Sequence, residues 1–295
     1  MKLTRTFILS ISLFSFIACG GGGGGSANTT PPTSTTITDT NSQNIVTALS
    51  RILMGIVLGS GPIEDYIGLK NYTCNPGSFV TNEDAINLTA TLTFTNCRSS
   101  FSTRYDGSLV LSNPTVAPNT GFDVTFNNLL VSQTAFRGTP NNIEIQIDGT
   151  ISITLTPSGT TSTYTISSPS LSVTSDGNTH TLKDFNFTGT TQSAGDASFT
   201  LTGNLTSTSF PDTVTISTPI TFSKASTDRR YPYIGQLLFN GDNNTYLAIS
   251  TNGGENFTPE TDQVSIDVNG IITNQSWDDF RVWAGLLETY SQRHN

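Results

Sequence analysis

Ile143, Ile145, Ile147, Ile151, Ile153 and Leu155 alternate with polar residues without a break, and Gly149 occupies the one apolar position that lacks a side chain. A helix repeats its faces every 3.6 residues and cannot bury such a series on one side, whereas an extended strand does so automatically. Asp148-Gly149 inside the run is a dipeptide favoured by two-residue hairpin turns. Parity argues against a turn there. Folding back would oppose Ile147 to Thr150 and Ile145 to Ser152, mixing apolar and polar side chains on both faces. The run therefore predicts one long strand with a glycine on its buried side.

The same arrangement returns elsewhere. Tyr105-x-Gly107-x-Leu109-x-Leu111, Phe199-x-Leu201-x-Gly203-x-Leu205, Tyr231-x-Tyr233-x-Gly235-x-Leu237-x-Phe239 and Ile266-x-Val268-x-Gly270-x-Ile272 each put glycine at the apolar parity. Glycine weakens a strand interior, so its repetition needs a cause. Creasing of a curling sheet is one, and clearance for a crossing helix is another. Further strands, such as those expected at about 88–96, 122–131, 181–188, 213–222 and 244–250, return between the glycine strands. The glycine intervals are irregular, which excludes a solenoid repeat. Only 12% of the chain is charged, and Thr, Ser, Asn and Gly fill the polar positions. Abundant Thr beside Val, Ile and Phe suits half-buried strands, and Gly, Asn and Pro suit turns. The expected fold is mainly β: a long, curved antiparallel meander, open like a half-barrel or sandwich-like, spanning about 68–273 within a single domain, 43–295.

Two helices flank the strands. Ile45, Val46, Leu49, Ile52, Leu53, Ile56 and Val57 recur at helical spacing, and Gly59 and Gly61 supply a stop, which predicts a helix over 43–58. Membrane contact or a partner helix is one reading of this segment. A core helix under the sheet is favoured, because only Arg51 gives it a charged face. A second helix is expected at 277–290. Ser276 caps it, Asp279 stands at the capping-box position, and Phe280, Trp283, Ala284 and Leu287 form its apolar stripe.

The N-terminus carries a different signal. Lys2 and Arg5 precede an apolar stretch from Phe7 to Ile17, small Ala18 and then Cys19. A basic segment, a short apolar segment and a small residue before a cleavage point form a secretory signal, here 1–18. The stretch is too short for a bilayer span, which takes about 20 residues. Phe16-Ile17-Ala18-Cys19 resembles the lipobox of bacterial lipoproteins, with Phe where Leu is usual. The resemblance implies that Cys19 is diacylated and becomes the first mature residue. Residues 19–42 then read as a tether, passing from Gly20–Gly25 through Pro31-Pro32 and a Thr/Ser run. Gly20 follows the lipidated residue where an Asp would signal retention, so the outer membrane is the expected address. Cys74 and Cys97 remain, and an oxidising envelope joins them in a disulfide.

Loss of residues 1–18 removes Lys2 and Arg5 but no acid, moving the net charge from −9 to −11. With no basic cluster there is no footprint for nucleic acid. Catalytic signatures are missing too. His180, in an expected turn, and His294 are the only histidines, so a triad would have to recruit His180, and turn histidines are usually solvated. Zinc needs Cys/His clusters, and neither a Walker loop nor a strand-linked GxGxxG occurs. Glu64-Asp65, Glu83-Asp84 and Asp278-Asp279 suit turns or helix starts better than a glycosidase pair. Asp267-Val268-Asn269-Gly270 and Asn240–Asn244 lack the acidic density of a calcium loop and read as β-turns. No cofactor or metal is expected.

Tyr72-Thr73-Cys74, Thr93-Phe94-Thr95-Asn96-Cys97 and Tyr231-Pro232-Tyr233-Ile234-Gly235-Gln236-Leu237, together with the glycine tether, resemble a loose group of Gram-negative envelope lipoproteins. That likeness brings no enzymatic activity with it. The expected function is a non-enzymatic binding or structural protein of the envelope, held to the membrane by its N-terminal lipid, with an envelope protein or hydrophobic ligand as partner. A carrier of lipid or acyl chains in a curved-sheet cavity and a cell-surface adhesin are the alternatives.

Overall fold

The computed structural model describes residues 35–67, 73–98, 103–112, 120–133, 143–192, 195–224, 232–252, 263–277, 279–280 and 284. The signal segment, Cys19 and most of the expected tether lie outside the described residues. A helix, α1 (Asp39–Ile67), precedes β1 (Ser78–Asp84), β2 (Thr89–Arg98), β3 (Thr103–Ser112), β4 (Thr120–Gln133) and β5 (Ile143–Ser158). Next come β6 (Thr161–Ser175), β7 (Asn178–Gln192), β8 (Ala197–Ser207) and β9 (Phe210–Lys224). The series ends with β10 (Ile234–Asn240), β11 (Tyr246–Asn252), β12 (Gln263–Val268) and β13 (Ile271–Ser276). All thirteen strands form one open antiparallel sheet in strict sequence order. The expected meander is therefore present, and Asp148-Gly149 lies inside β5.

Mid-strand bulges account for two of the in-strand glycines. Asn127 and Asn128 of β4 together oppose Asp148 of β5, and Asn128 has φ 49°. Its N–H donates to Asp148 Oδ1 over 3.3 Å, while Gly149 next to it has φ 120°. One pair of strands earlier the same parts recur: Asn96 at φ 48°, its N–H donating to Asp106 Oδ2, and Gly107 at φ 103°. A bulge bends its strand and increases local twist, and these sites need residues that tolerate positive φ. A Cβ on Gly149 would stand 2.5 Å from the Ser170 carbonyl oxygen.

Three expectations need correction. Gly270 is no strand residue: Asn269-Gly270 is the two-residue turn of the β12–β13 hairpin, with Val268 opposite Ile271. The parity rule failed there because β13 is an edge strand whose Ile271 and Ile272 are about 60% exposed and join no core. β1 and β6 lie within the strand region expected over 68–273 but outside the strands singled out in it. In β6, Ser168 and Pro169 together oppose Ile151 in a bulge, which shifts the buried series from Tyr164–Ile166–Ser168 to Leu171–Val173–Ser175. That shift erases the alternation on which strand reading depends. The third concerns α1, which begins earlier and ends later than 43–58.

Thr38 starts α1: its carbonyl accepts from Ser42 N–H, and the Asn41 side chain reaches back to accept the Thr38 N–H at 2.8 Å. Gly59 and Gly61 do not stop the helix, because they are its contact surface. A Cβ on Gly55 would come within 2.8 Å of Val173, one on Gly59 within 2.9 Å of Ile147 and Phe126, and one on Gly61 within 2.8 Å of the Tyr105 hydroxyl. Close packing outweighs the roughly 1 kcal/mol that each glycine costs a helix. Pro62 cannot donate to the Leu58 carbonyl, and the Tyr105 hydroxyl donates to that oxygen instead. α1 thus crosses the strands on one face of the sheet, hereafter the inner face. It is long and apolar enough to span a bilayer, yet most of it is buried within the protein.

The expected tether to residue 42 also ends sooner. Thr35 N–H donates to the Thr213 carbonyl, Asp242 N–H donates to the Thr35 carbonyl, and Asn269 Nδ2 donates to the Ile37 carbonyl. Residues 35–37 therefore strap the start of α1 to the sheet end that carries the β10–β11 and β12–β13 turns. At the other terminus, Ser276 accepts the Asp279 N–H as the capping pattern predicts, and Trp277 and Phe280 are buried. The rest of the expected helix 277–290 lies largely outside the described residues.

Candidate functional site

The inner face is apolar along its middle and turns polar at one rim. Along β6 the buried series runs Leu171, Val173, Ser175; along β7 it runs Leu182, His180, Asn178; along β8 buried Leu205 is followed by half-buried Ser207. β6 and β7 are joined by the Asp176-Gly177 turn, with φ 51° and 74°, a dipeptide suited to a type I′ hairpin. This turn presents Asp176 at the rim. α1 crosses above it and brings Arg51, whose guanidinium binds Asp176 Oδ2. Arg51 is 3% exposed and Asp176 is 49% exposed, so the pair links the buried helix to the protein surface.

His180 and Ser207 are directly opposed across β7 and β8. His180 Nδ1 and Ser207 Oγ are 2.7 Å apart, and Ser207 Oγ is also 2.7 Å from Ser209 Oγ. Ser175 Oγ is buried without a hydrogen-bond partner among the described residues. The His180 pKa is lowered from 6.5 to about 4, chiefly by burial and also by the Arg51 charge, with Asp176 opposing the shift. The ring is therefore neutral across the physiological range. A hydroxyl beside an imidazole is the minimal nucleophile–base unit. Here Val173, the cross-strand partner of His180, packs against Gly55 of α1, and Asp176, the acid that acts on the ring, is engaged by Arg51. The network fastens a helix to a sheet rim.

Sequence reasoning passed over this cluster. His180 is no solvated turn residue but is 4% exposed at the end of a strand, and Arg51 gives α1 no charged face because it is buried and paired. The available signal was a lone arginine within an otherwise uncharged helix segment. Such a cation is either exposed on the outer side or buried with an acid, and only tertiary packing distinguishes the two.

The remaining expected residues fall as follows. Cys74 and Cys97 are joined in a disulfide, Cα–Cα 4.8 Å, which pins the segment before β1 to β2. Gly107, Gly149, Gly203 and Gly235 lie within strands; a Cβ on Gly203 would meet Leu182 at 3.1 Å, and one on Gly235 would meet the Phe222 ring at 2.2 Å. Asp267 Oδ1 accepts the Gly270 N–H and its Oδ2 accepts from the Tyr246 hydroxyl, so both oxygens serve their hairpin. Asp84 accepts the N–H groups of Ile86 and Asn87 in the β1–β2 turn, and the Asn87 bonds hold its carboxyl below the usual range. Among the described residues, no three of His, Cys, Asp and Glu stand together as a metal site.

Fold and site together define a mainly-β protein whose single meandering sheet carries a buried helix latched at one rim. No protein-family model matches the chain, and no curated protein or solved structure matches it either.

Proposed function

We propose that this chain is an exported lipoprotein, held in the outer membrane by acyl chains on Cys19, whose β body is a non-enzymatic binding or structural protein of the envelope. The observation that carries the reading is the accounting of cysteines. The chain has three; Cys74 and Cys97 are joined to each other, which leaves Cys19, behind its signal-like segment, as the one cysteine outside that bridge. The sixteen residue-to-residue steps from Cys19 to Thr35 span at most about 55 Å. Because residues 35–37 are strapped to one sheet end, the tether leaves the β body at that end, opposite the β1–β2 turn whose Ile86 is 92% exposed.

The sheet is proposed to curl around α1 as an open half-barrel. α1 packs mainly on β4 to β9, yet Leu92 and Leu109 on one side and Leu247 and Val264 on the other are fully buried in the same core. A flat sheet would leave such distant strands uncovered. A carrier with a preformed apolar cavity is the weaker reading, since the glycines of α1 rest directly on Val173, Ile147 and Phe126. Ligand would have to displace the helix.

Metabolic labelling with an alkyne fatty acid tests the anchor. The wild-type chain is expected to take up label and fractionate with membranes. Cys19→Ala is expected to lose both properties, and the Cys74→Ser/Cys97→Ser pair to keep the label. A purified protein that retains Met1 and carries no fatty acid overturns the proposal.

A further inference from the structure

We propose that the rim network is an acid-sensitive latch: with His180 neutral it holds the middle of α1 on the inner face, and protonation of His180 favours release of that segment. The inference makes no use of the lipid anchor. Arg51 is the only charged residue between Thr40 and Ile63, so the central helix has one ionic fastening to the sheet. In the closed form Arg51 is paired with Asp176, and the neutral ring, hydrogen-bonded to Ser207 on β8, lies beside Val173, on which Gly55 of α1 rests.

A proton on His180 would set a second cation beside Arg51 with a single carboxylate to serve both. The charges acting on the ring come from two elements: Arg51 on α1, and Asp176 in the β6–β7 turn. β8 and its following turn contribute only the uncharged Ser207 and Ser209, and β6 contributes Ser175, whose hydroxyl is already buried without a partner. Nothing in that set absorbs the added charge. Lifting α1 returns the ring to water, where it accepts a proton freely, so acid favours the open form.

The sign and size follow from linkage. Burial and the Arg51 charge, against the pull of Asp176, keep the closed-state ring near 4, against 6.5 in water. The opening equilibrium is unaffected above 6.5 and shifts toward the open form as pH falls through the interval, by about 30-fold between pH 8 and pH 5. The consequence is exposure of an apolar inner face, and of an equally apolar helix, only under acid conditions.

Hydrogen exchange of the purified mature chain, corrected for the intrinsic pH dependence of exchange, reads this directly. Amides of 48–58 are expected to lose about 30-fold in protection from pH 8 to pH 5, while those of β5 and β6 keep theirs. His180→Gln, which retains a hydrogen-bonding side chain, is expected to abolish the pH dependence. The latch is overturned if helix protection is unchanged with pH, if helix and sheet lose protection together, or if His180→Gln titrates like the wild type. Should that variant not fold, an NMR titration of His180 in the wild-type chain decides: a ring that stays neutral well below pH 6 supports the latch, and one that titrates at 6.5 overturns it.

Discussion

Gly149 and Gly270 look alike in sequence, each following Asp or Asn and each at apolar parity, yet they meet different surroundings. Gly149 sits at φ 120° with the Ser170 carbonyl 2.5 Å from where a Cβ would be; Gly270 sits at φ 90° with nothing within 4 Å. Gly149→Ala is expected to cost about 3 kcal/mol, backbone strain plus collision with main chain, whereas Gly270→Ala costs about 1 kcal/mol from strain alone. Urea denaturation midpoints compare the two. The Arg51–Asp176 pair gives a second residue-scale expectation. Asp176→Asn leaves a buried guanidinium without its counter-charge and should destabilise by about 2 kcal/mol, discounted from a fully buried pair because Asp176 is half exposed. Arg51→Met combined with Asp176→Asn should recover most of that loss, since no unpaired charge remains; a double-mutant cycle measures it. Neither the φ of Gly149 nor the burial of Arg51 could be read from the chain, because each is set by a strand or turn remote in sequence.

At the scale of elements, local preference and tertiary packing disagree most in α1. Three glycines and a proline over 55–62 would end an isolated helix, and the sequence reading placed its stop there. The helix continues because those glycines let it approach the sheet and because Tyr105 satisfies the carbonyl that Pro62 cannot. Gly55→Leu should therefore be more harmful than a change in helix propensity predicts. Its side chain must displace Val173, and limited proteolysis within 43–63 should accelerate markedly. Tyr105→Phe should cost about 1 kcal/mol by orphaning the Leu58 carbonyl. Strands with uninterrupted alternation, such as β5, were legible throughout. β6 was hidden by its Ser168-Pro169 bulge, and β13 was misjoined because an edge strand need not keep one buried face.

For the whole molecule, the disulfide and the sheet edges carry the remaining expectations. Cys74–Cys97 closes a loop of 23 residues, so its removal should lower stability by about 3 kcal/mol on the chain-entropy model, read as a shift in denaturation midpoint under reducing conditions. Replacing Ile271 and Ile272 with lysine should leave stability within about 0.5 kcal/mol, because both side chains already face solvent.

Alternation of apolar and polar residues determined by itself that this chain is built mainly of long strands with one buried face, since side-chain direction in a strand is a local property with a fixed period. Cysteine number and spacing likewise indicated the bridge. What only the folded chain decided was which polar residues leave water. Arg51, the Ser175 to His180 hairpin and half-buried Ser207 come from separate elements and are ordinary in composition. They become a site because α1 crosses the strands at the rim where the inner face turns polar, a juxtaposition that arises from packing and leaves no periodic trace along the chain.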